Sequence, residues 1–323
     1  MQVALAADEG YFPGLACTIF SIALASRGTA GIDFHVMDGG IADASWNLLE
    51  SRLAALDPGI RLRRHAIAQA SFHDLPPAAC GGAMTYARLL MESIIDAEAV
   101  IYVDSDFLCF RNLRELWEAP MGSNLIAACQ DRGVKRLKED PVFDLSPEEG
   151  QLPYFNAGFM KANLAQWRRE GIQARTLALL RENGARCLWW DQTALNVICR
   201  GRVHYLDPAY NQYYLPPVTA LDLAEGRINL HYAAKTKPWQ TTDRKILNNV
   251  LWRIACAAFL AGNSTARPSA ITNLLTSFSV AAIGAALAFL RLLSWDQSRQ
   301  AGRLQRFTNR LQVIQWARNR FVP

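Results

Sequence analysis

The sequence predicts an α/β fold, a mostly parallel sheet flanked by helices and followed by a C-terminal helical extension. Three observations carry this. Short apolar runs of strand length alternate with longer stretches whose apolar residues recur at helical spacing, a pattern that builds parallel sheets with helices on both faces. About half of the 323 residues are apolar (51%), enough to bury one large core. The alternation then stops near residue 246. The expected division is a sheet domain over residues 1–245 and a helical region over 246–323.

The elements follow in order. "VALAAD" (3–8) reads as a first core strand. Its acidic residue at 8 and the lack of a basic lead do not fit a secretory signal. "GLACTIFSIALAS" (14–26) has helical apolar spacing, "IDFHVMD" (32–38) reads as a strand and "SWNLLESRLAAL" (45–56) as a helix. "IRLRRHAI" (60–67) reads as a strand, "TYARLLMESII" (85–95) as a helix, and "AVIYVD" (99–104) and "NLIAACQ" (124–130) as strands. Ligands of such sheets bind beyond the carboxyl ends of the strands. Asp8 and Asp104 both sit at such ends, which predicts that they share one rim.

Residues 268–290 carry no charge over 23 positions. As a helix they would be ~34 Å long, enough to cross a bilayer core, although six Ser, Thr and Asn residues interrupt the apolar run. In "GRLQRFTNRLQVIQWARNRF" (302–321), Leu304, Phe307, Leu311 and Ile314 form one helical stripe flanked by Arg303, Arg306 and Arg310. This is the pattern of a basic amphipathic helix lying on anionic lipid. The alternative is a helix packed on its own domain. Residues 291–323 hold seven Arg and one acidic residue, so the formal charge of +5 belongs to the tail and the body is close to neutral. A body-wide nucleic-acid footprint is therefore absent. The seven cysteines (17, 80, 109, 129, 187, 199, 256) show no CxxC pair and read as buried thiols in a reducing compartment.

The chemistry concentrates first in "IYVDSDFLCF" (101–110). Residues i and i+2 of a strand point the same way. If the strand runs through 106, Asp104 and Asp106 are side by side, a hard-oxygen pair suited to Mg²⁺ or Mn²⁺. A surface turn would also explain the pair. So would the first motif of the dehalogenase-type phosphatases, but that motif wants Thr or Val where Leu108 stands and sits on the first strand. Further segments add to the signal: "PYFNAGFMKANLAQWR" (153–168), "LWWDQTALN" (188–196), where Asp191 reads as a helix cap, and "INLHYAAKTKPW" (228–239).

Taken in order, "AADEGY", "TYARL", "YVDSD", "FNAGFM", "WWDQTALN" and "HYAAKTKPW" give a chain that resembles the family 8 retaining glycosyltransferases, the group of the lipopolysaccharide galactosyl- and glucosyltransferases and glycogenin. The likeness covers residues 1–240. It implies a GT-A fold, a Rossmann-like arrangement, with a nucleotide-sugar donor, a UDP-hexose, and a divalent cation. By position it assigns Asp104, Asp106 and His231 as metal ligands, a mixed oxygen and nitrogen set that favours Mn²⁺ over Mg²⁺. It places Asp8 and Tyr11 at the uracil, and Arg88, Ser105, Ala234 and Lys237 about the donor sugar and diphosphate. Asn156, Asp191 and Gln192 are placed at the transferred sugar.

Two positions depart from the family pattern. Gly10 stands where the family has Asn, and Ala234 where it has the glycine that lets backbone approach the diphosphate. These bear on donor affinity and keep open a non-catalytic nucleotide-sugar binding protein as an alternative. The resemblance implies transfer of galactose or glucose with retention of configuration. Gln192, the residue expected beneath the anomeric carbon, is a poor nucleophile. A same-face route is therefore expected, in which the departing phosphate takes the acceptor's proton, with Asp191 as the less favoured nucleophile. The expected acceptor is a glycan or glycolipid of cell-surface synthesis. The protein would sit in the cytoplasm, peripheral on the inner face of the membrane through the tail helix.

Overall fold

The computed structural model describes residues 1–259 except 27, 29–30, 79–81, 141–144, 214–224, 241–248, 250, 254, 257 and 258. The uncharged stretch 268–290 and the amphipathic stretch 302–321 lie outside the described residues. Among those residues no helix is long and apolar enough to cross a membrane.

Strand β1 (Gln2–Ala7) leads into helix α1 (Phe12–Ala25), then β2 (Asp33–Asp38), α2 (Asp43–Leu56) and β3 (Arg61–Ala66). The predicted helix over 85–95 is mostly a 3-10 run, Gly82–Leu90, followed by one α turn, α3 (Met91–Ile94). β4 (Ala99–Val103) and β5 (Phe107–Cys109) flank the Asp104–Asp106 segment. α4 (Arg114–Glu118), β6 (Ile126–Gln130), α5 (Pro147–Gly150) and β7 (Phe155–Asn163) come next. They are followed by α6 (Leu164–Glu170), α7 (Ile172–Asn183), α8 (Trp190–Ile198), β8 (Val203–Tyr205) and β9 (Asn229–His231).

Seven strands form one sheet in the order β3-β2-β1-β4-β7-β6-β8. β7 runs antiparallel to both of its neighbours, and the remaining pairs are parallel. The expectation of a mostly parallel sheet flanked by helices is met. The reversed strand brings its amino end, Asn156–Gly158, to the rim where the parallel strands have their carboxyl ends. The sequence order turns back between β1 and β4, the switch point at which such sheets open a crevice.

Two apolar layers hold the sheet. On one side Leu15, Ile19 and Ile22 of α1 and Leu49 and Leu53 of α2 pack with Val3, Leu5, Phe34 and Val36. On the other, Tyr102, Met160, Trp167 and Leu195 form the second core. Lys161, the charged residue of β7, is 4% exposed. Its ammonium donates to the carbonyls of Leu116, Trp117 and Ala119 at 3.1, 2.7 and 2.7 Å, satisfying the carboxyl end of α4 that would otherwise be left without donors. Five of the six described cysteines are buried and all six are free, as their scatter predicts.

Candidate active site

The Asp-x-Asp pair does not lie on a strand. β4 ends at Val103, and Asp104–Asp106 form a tight turn before β5. The two carboxylates therefore converge through the turn rather than through strand pleating. β5 then pairs antiparallel with β9, with Phe107 opposite His231. This two-stranded ladder joins the acidic turn to an imidazole 125 residues downstream. The three side chains present ligand atoms within 4.8 Å of one another.

Each of the three has its outer atom bonded and its inner atom bare. Asp104 Oδ1 accepts from Tyr102 Oη and pairs with Arg88, both at 2.9 Å. Asp106 Oδ2 pairs with Lys237 Nζ at 2.7 Å, while its buried Oδ1 accepts no hydrogen bond. His231 Nε2 faces these carboxylates, 3.2 Å from Asp106 Oδ1 and 4.0 Å from Asp104 Oδ2.

The tautomer of His231 follows from fixed donors and acceptors. The backbone N–H of Gly158 donates to Asn156 Oδ1 (3.0 Å), and Asn156 Nδ2 donates to the Asp131 carboxylate (3.0 Å). The Asn211 atom that meets Asn156 Oδ1 at 2.8 Å must be its Nδ2. Asn211 Oδ1 is then the acceptor for His231 Nδ1–H at 2.9 Å. Nε2, 3.2 Å from Asp106 Oδ1, faces two carboxylates: as an N–H it donates to Asp106 in the metal-free protein, and as a lone pair it would repel them unless a cation lay between. The donor set fits a divalent metal. Asn211→Leu is expected to weaken Mn²⁺ binding about 10–100-fold, the usual cost of losing an outer partner, as read by electron paramagnetic resonance titration.

The electrostatics agree. Burial alone would raise the pKa of Asp106, but His231 and Lys237 outweigh it and hold the carboxyl well below its ordinary value. Burial opposes the charge on Lys237, and Asp106 more than restores it. Asp191 is 3% exposed; burial raises its pKa, and Arg88 opposes that shift. Arg88 sits between Asp104 and Asp191, 2.9 Å from each, donates to the Ala157 carbonyl at 2.7 Å and lies over the Tyr102 ring.

All twelve residues selected from the sequence line one cavity of about 900 Å³. Asp8 closes the turn after β1 by accepting from Tyr11 N at 3.0 Å, and Tyr11 meets Trp239 edge to face. Ser105 Oγ donates to the Ala6 carbonyl at 2.7 Å, tying the acidic turn to β1. Asp191 is not the cap of α8. That position falls to Trp189, without a side-chain bond, and Asp191 lies in the first helical turn. Trp190, which opens this helix, has a positive φ of 46°, a conformation that costs a non-glycine residue ~1–3 kcal/mol. Two glycines permit close approach. A Cβ on Gly14 would lie 2.2 Å from the Ser105 carbonyl and 2.4 Å from the Trp239 ring. One on Gly158 would lie 2.6 Å from Asp104 Oδ2 and 2.7 Å from His231 Cε1.

Sequence reasoning passed over Thr85, Tyr102, Asp131, Asn211 and Tyr213. Asp131 accepts from Gly133 N, Val134 N, Asn156, Gln192 and Tyr213 Oη. Asp131, Asn211 and Tyr213 belong to none of the six motifs and act through partners distant in the chain, whereas Thr85 and Tyr102 lie inside "TYARL" and "YVDSD" without being singled out. Asn211 and Tyr213 lie in "DPAYNQYYLPPV" (207–218), which the sequence offers equally as a lining of the acceptor cleft or as a packed aromatic loop.

The galactosyltransferase LgtC, solved in complex with donor and acceptor sugar analogs, shares this fold. Its TM-score is 0.67 at 26% identity, over 84% of this chain and 99% of that one. The lipopolysaccharide 1,2-glucosyltransferase of Escherichia coli (strain K12) is 24% identical over 250 residues, 74% of this chain and 72% of that protein. The lipopolysaccharide 1,3-galactosyltransferase of Salmonella typhimurium is 23% identical over 249 residues, 74% and 73% of the two chains. Glycosyltransferase GlyF of Streptococcus pneumoniae is 26% identical over 259 residues, 78% of this chain. The fold is thus the GT-A architecture, with a candidate metal site at its switch point. Residues 2–243 match the family model of glycosyl transferase family 8, and the chain belongs to that family. It spans only about 60% of the length of GlyF and 63% of a Haemophilus influenzae relative.

Proposed function

We propose that the protein transfers galactose or glucose from a UDP-sugar to a hydroxyl of a saccharide or lipid-linked acceptor, with a divalent cation and with retention of configuration. The observation that carries this reading is the set of three bare ligand atoms on Asp104, Asp106 and His231 at the β1/β4 switch point, with Lys237 and Arg88 beside them. A bound Mn²⁺ or Mg²⁺ supplies positive charge against the donor diphosphate, and the mixed donor set favours Mn²⁺. Asp8 and Tyr11, beyond β1, take the uracil. Lys237 exchanges its bond with Asp106 for the leaving phosphate, stabilising charge where it grows. The guanidinium of Arg88 is committed to Asp104, Asp191 and a carbonyl, so it acts on the donor by its field and by fixing both acids. Ser105 steadies the acidic turn, and Ala234 lines the cavity where the diphosphate would lie.

At the transferred sugar, Gln192 Oε1 accepts from Ala157 N and Asn156 Nδ2, both at 2.9 Å. Asp191 accepts from Thr85 and pairs with Arg88. Neither presents a free nucleophile, which supports the same-face route with the departing phosphate oxygen as proton acceptor. UDP release should be measured across UDP-galactose and UDP-glucose with Mn²⁺, with and without acceptor. One donor is expected to turn over only with metal. Release that persists in chelator removes the metal from the reaction, and no release with any donor leaves a binding protein instead.

Two of the relatives named above, those of Escherichia coli and Salmonella typhimurium, are a lipopolysaccharide glucosyltransferase and a lipopolysaccharide galactosyltransferase. A similar lipid-linked acceptor, met at the cytoplasmic face of the membrane, suits the basic stripe of residues 302–321. The proposed catalytic unit is residues 1–245, with 246–323 as the membrane-associating region. Equal sedimentation with anionic vesicles at low salt, before and after truncation at residue 265, would exclude that role for the tail.

A further inference from the structure

We propose that the acceptor is an anionic saccharide and that Arg132 binds its phosphate or carboxylate at the mouth of the cavity; the proposal rests on the transferase reading above. The strand order separates two halves of the site. Asp8 and Tyr11 follow β1, whereas Asp131 and Arg132 follow β6, three strand spacings away, or about 14 Å. The metal-binding trio lies between. A donor whose base sits on the β1 side leaves the β6 side for the acceptor.

That side is built to meet a negative charge. Asp131 is buried, but Arg132 beside it is exposed and lines the cavity. Its guanidinium donates to Gln212 Oε1 at 2.6 Å, and among the described residues no carboxylate pairs with it. The other two cationic residues in the cavity, Arg88 and Lys237, are each ion-paired. Lys135, Arg136 and Lys138 continue the exposed cationic edge, again with no carboxylate partner among the described residues. Glu139, the exposed acid of this segment, accepts from the Lys135 backbone.

The facing wall is apolar. Leu188 and Trp189, 47% and 44% exposed, are the exposed large hydrophobic side chains among the described residues, and Trp189 lines the same cavity. The two walls are joined where Leu188 N and Thr193 Oγ1 both donate to Asp140. A flat indole suits the face of a sugar ring. The planar fork of an arginine suits a carboxylate or phosphate in two-point contact. A neutral saccharide would use the first feature and leave the second without a partner.

The test is calorimetric titration of the full chain, loaded with Mn²⁺ and UDP, with deacylated lipopolysaccharide core oligosaccharide. Three forms are compared: native, dephosphorylated with hydrogen fluoride, and carboxyl-reduced. One modified form is expected to bind about tenfold more weakly than the native one, the cost of a lost hydrogen bond to a charged group, and its identity distinguishes phosphate from carboxylate. Arg132→Gln should bind the native form as weakly as that modified form, and Arg132→Lys should recover part of the difference. Indistinguishable titrations for all three forms, or a native-to-modified ratio unchanged in Arg132→Gln, overturns the proposal. So does loss of phosphatidylglycerol-vesicle binding in Arg132→Gln without any change in that ratio, which would assign this edge to the membrane. Failure of the transferase reading is distinguishable, because it appears earlier, as no UDP bound in the loading step.

Discussion

Asp106→Asn is expected to lower kcat/KM for metal-dependent UDP-sugar turnover on the order of 10³-fold, a loss of ~4 kcal/mol in transition-state stabilisation. Added Mn²⁺ should not restore it. The substitution has two effects at one position. It removes a bare ligand atom facing His231 Nε2, and it leaves the ammonium of Lys237, now bonded at 2.7 Å, without its counter-charge in a buried setting. Breaking a buried pair on one side costs ~3–5 kcal/mol, so the metal-free protein should also unfold at lower denaturant. The pH dependence has a definite sign. The carboxyl of Asp106 is held below its unfolded value of 3.8 by His231 and Lys237 despite its burial. Its contribution is therefore complete above about pH 4 and is lost as pH falls through the lower folded value. Urea titrations of the metal-free parent between pH 7 and 3 should show the onset of this loss below about pH 4, and Asp106→Asn should flatten that part of the profile. Parent-like turnover by Asp106→Asn in chelator would refute the metal-centred mechanism.

Gly158→Ala should abolish metal binding nearly as fully, through one methyl group. The added carbon would lie 2.6 Å from Asp104 Oδ2, 2.7 Å from His231 Cε1 and 3.0 Å from Asn156 Oδ1. None of these atoms moves freely. Asp104 is held by Tyr102 and Arg88, and the His231 ring stacks on Phe107 at 4.2 Å and is bonded to Asn211. Overpacking of this kind costs ~1–3 kcal/mol of stability. The fold should therefore survive while Mn²⁺ affinity falls about 100-fold or more, judging by the 10–100-fold cost of losing an outer partner alone. A melting curve beside a Mn²⁺ titration separates the two effects. Unchanged affinity would mean that the rim of β7 has more room than the close contacts indicate.

Gly158 also shows how far the sequence could be read. "FNAGFM" was recognisable as a motif, and its placement near the sugar followed from the resemblance. That its glycine is a space-holder for two ligands from other segments could not be read, because the contacts span 54 and 73 residues. The strands through β4 were legible from period and composition, as was the rim they share. The reversal of β7 was not, since an apolar run reads the same in either direction. The Asp-x-Asp pair was found for a partly mistaken reason. A turn, rather than a continuing strand, brings the acids together, and only the pairing of two three-residue strands, too short to announce themselves, supplies the imidazole. The run at 85–95 has helical spacing yet winds mostly as 3-10, which places Thr85 and Arg88 against Asp191. Asp131, Asn211 and Tyr213 were invisible because polar networks have no period.

The short ladder joining Phe107 to His231 also sets an order of events during biosynthesis. At ~5–20 residues per second, translation from Asp106 to His231 takes about 6–25 s. During that interval the emerging polypeptide has its two acids but lacks the nitrogen that completes their grip. The proposed metal grip is thus completed only once His231 has been added, and a product truncated before that residue has the two acids without their imidazole.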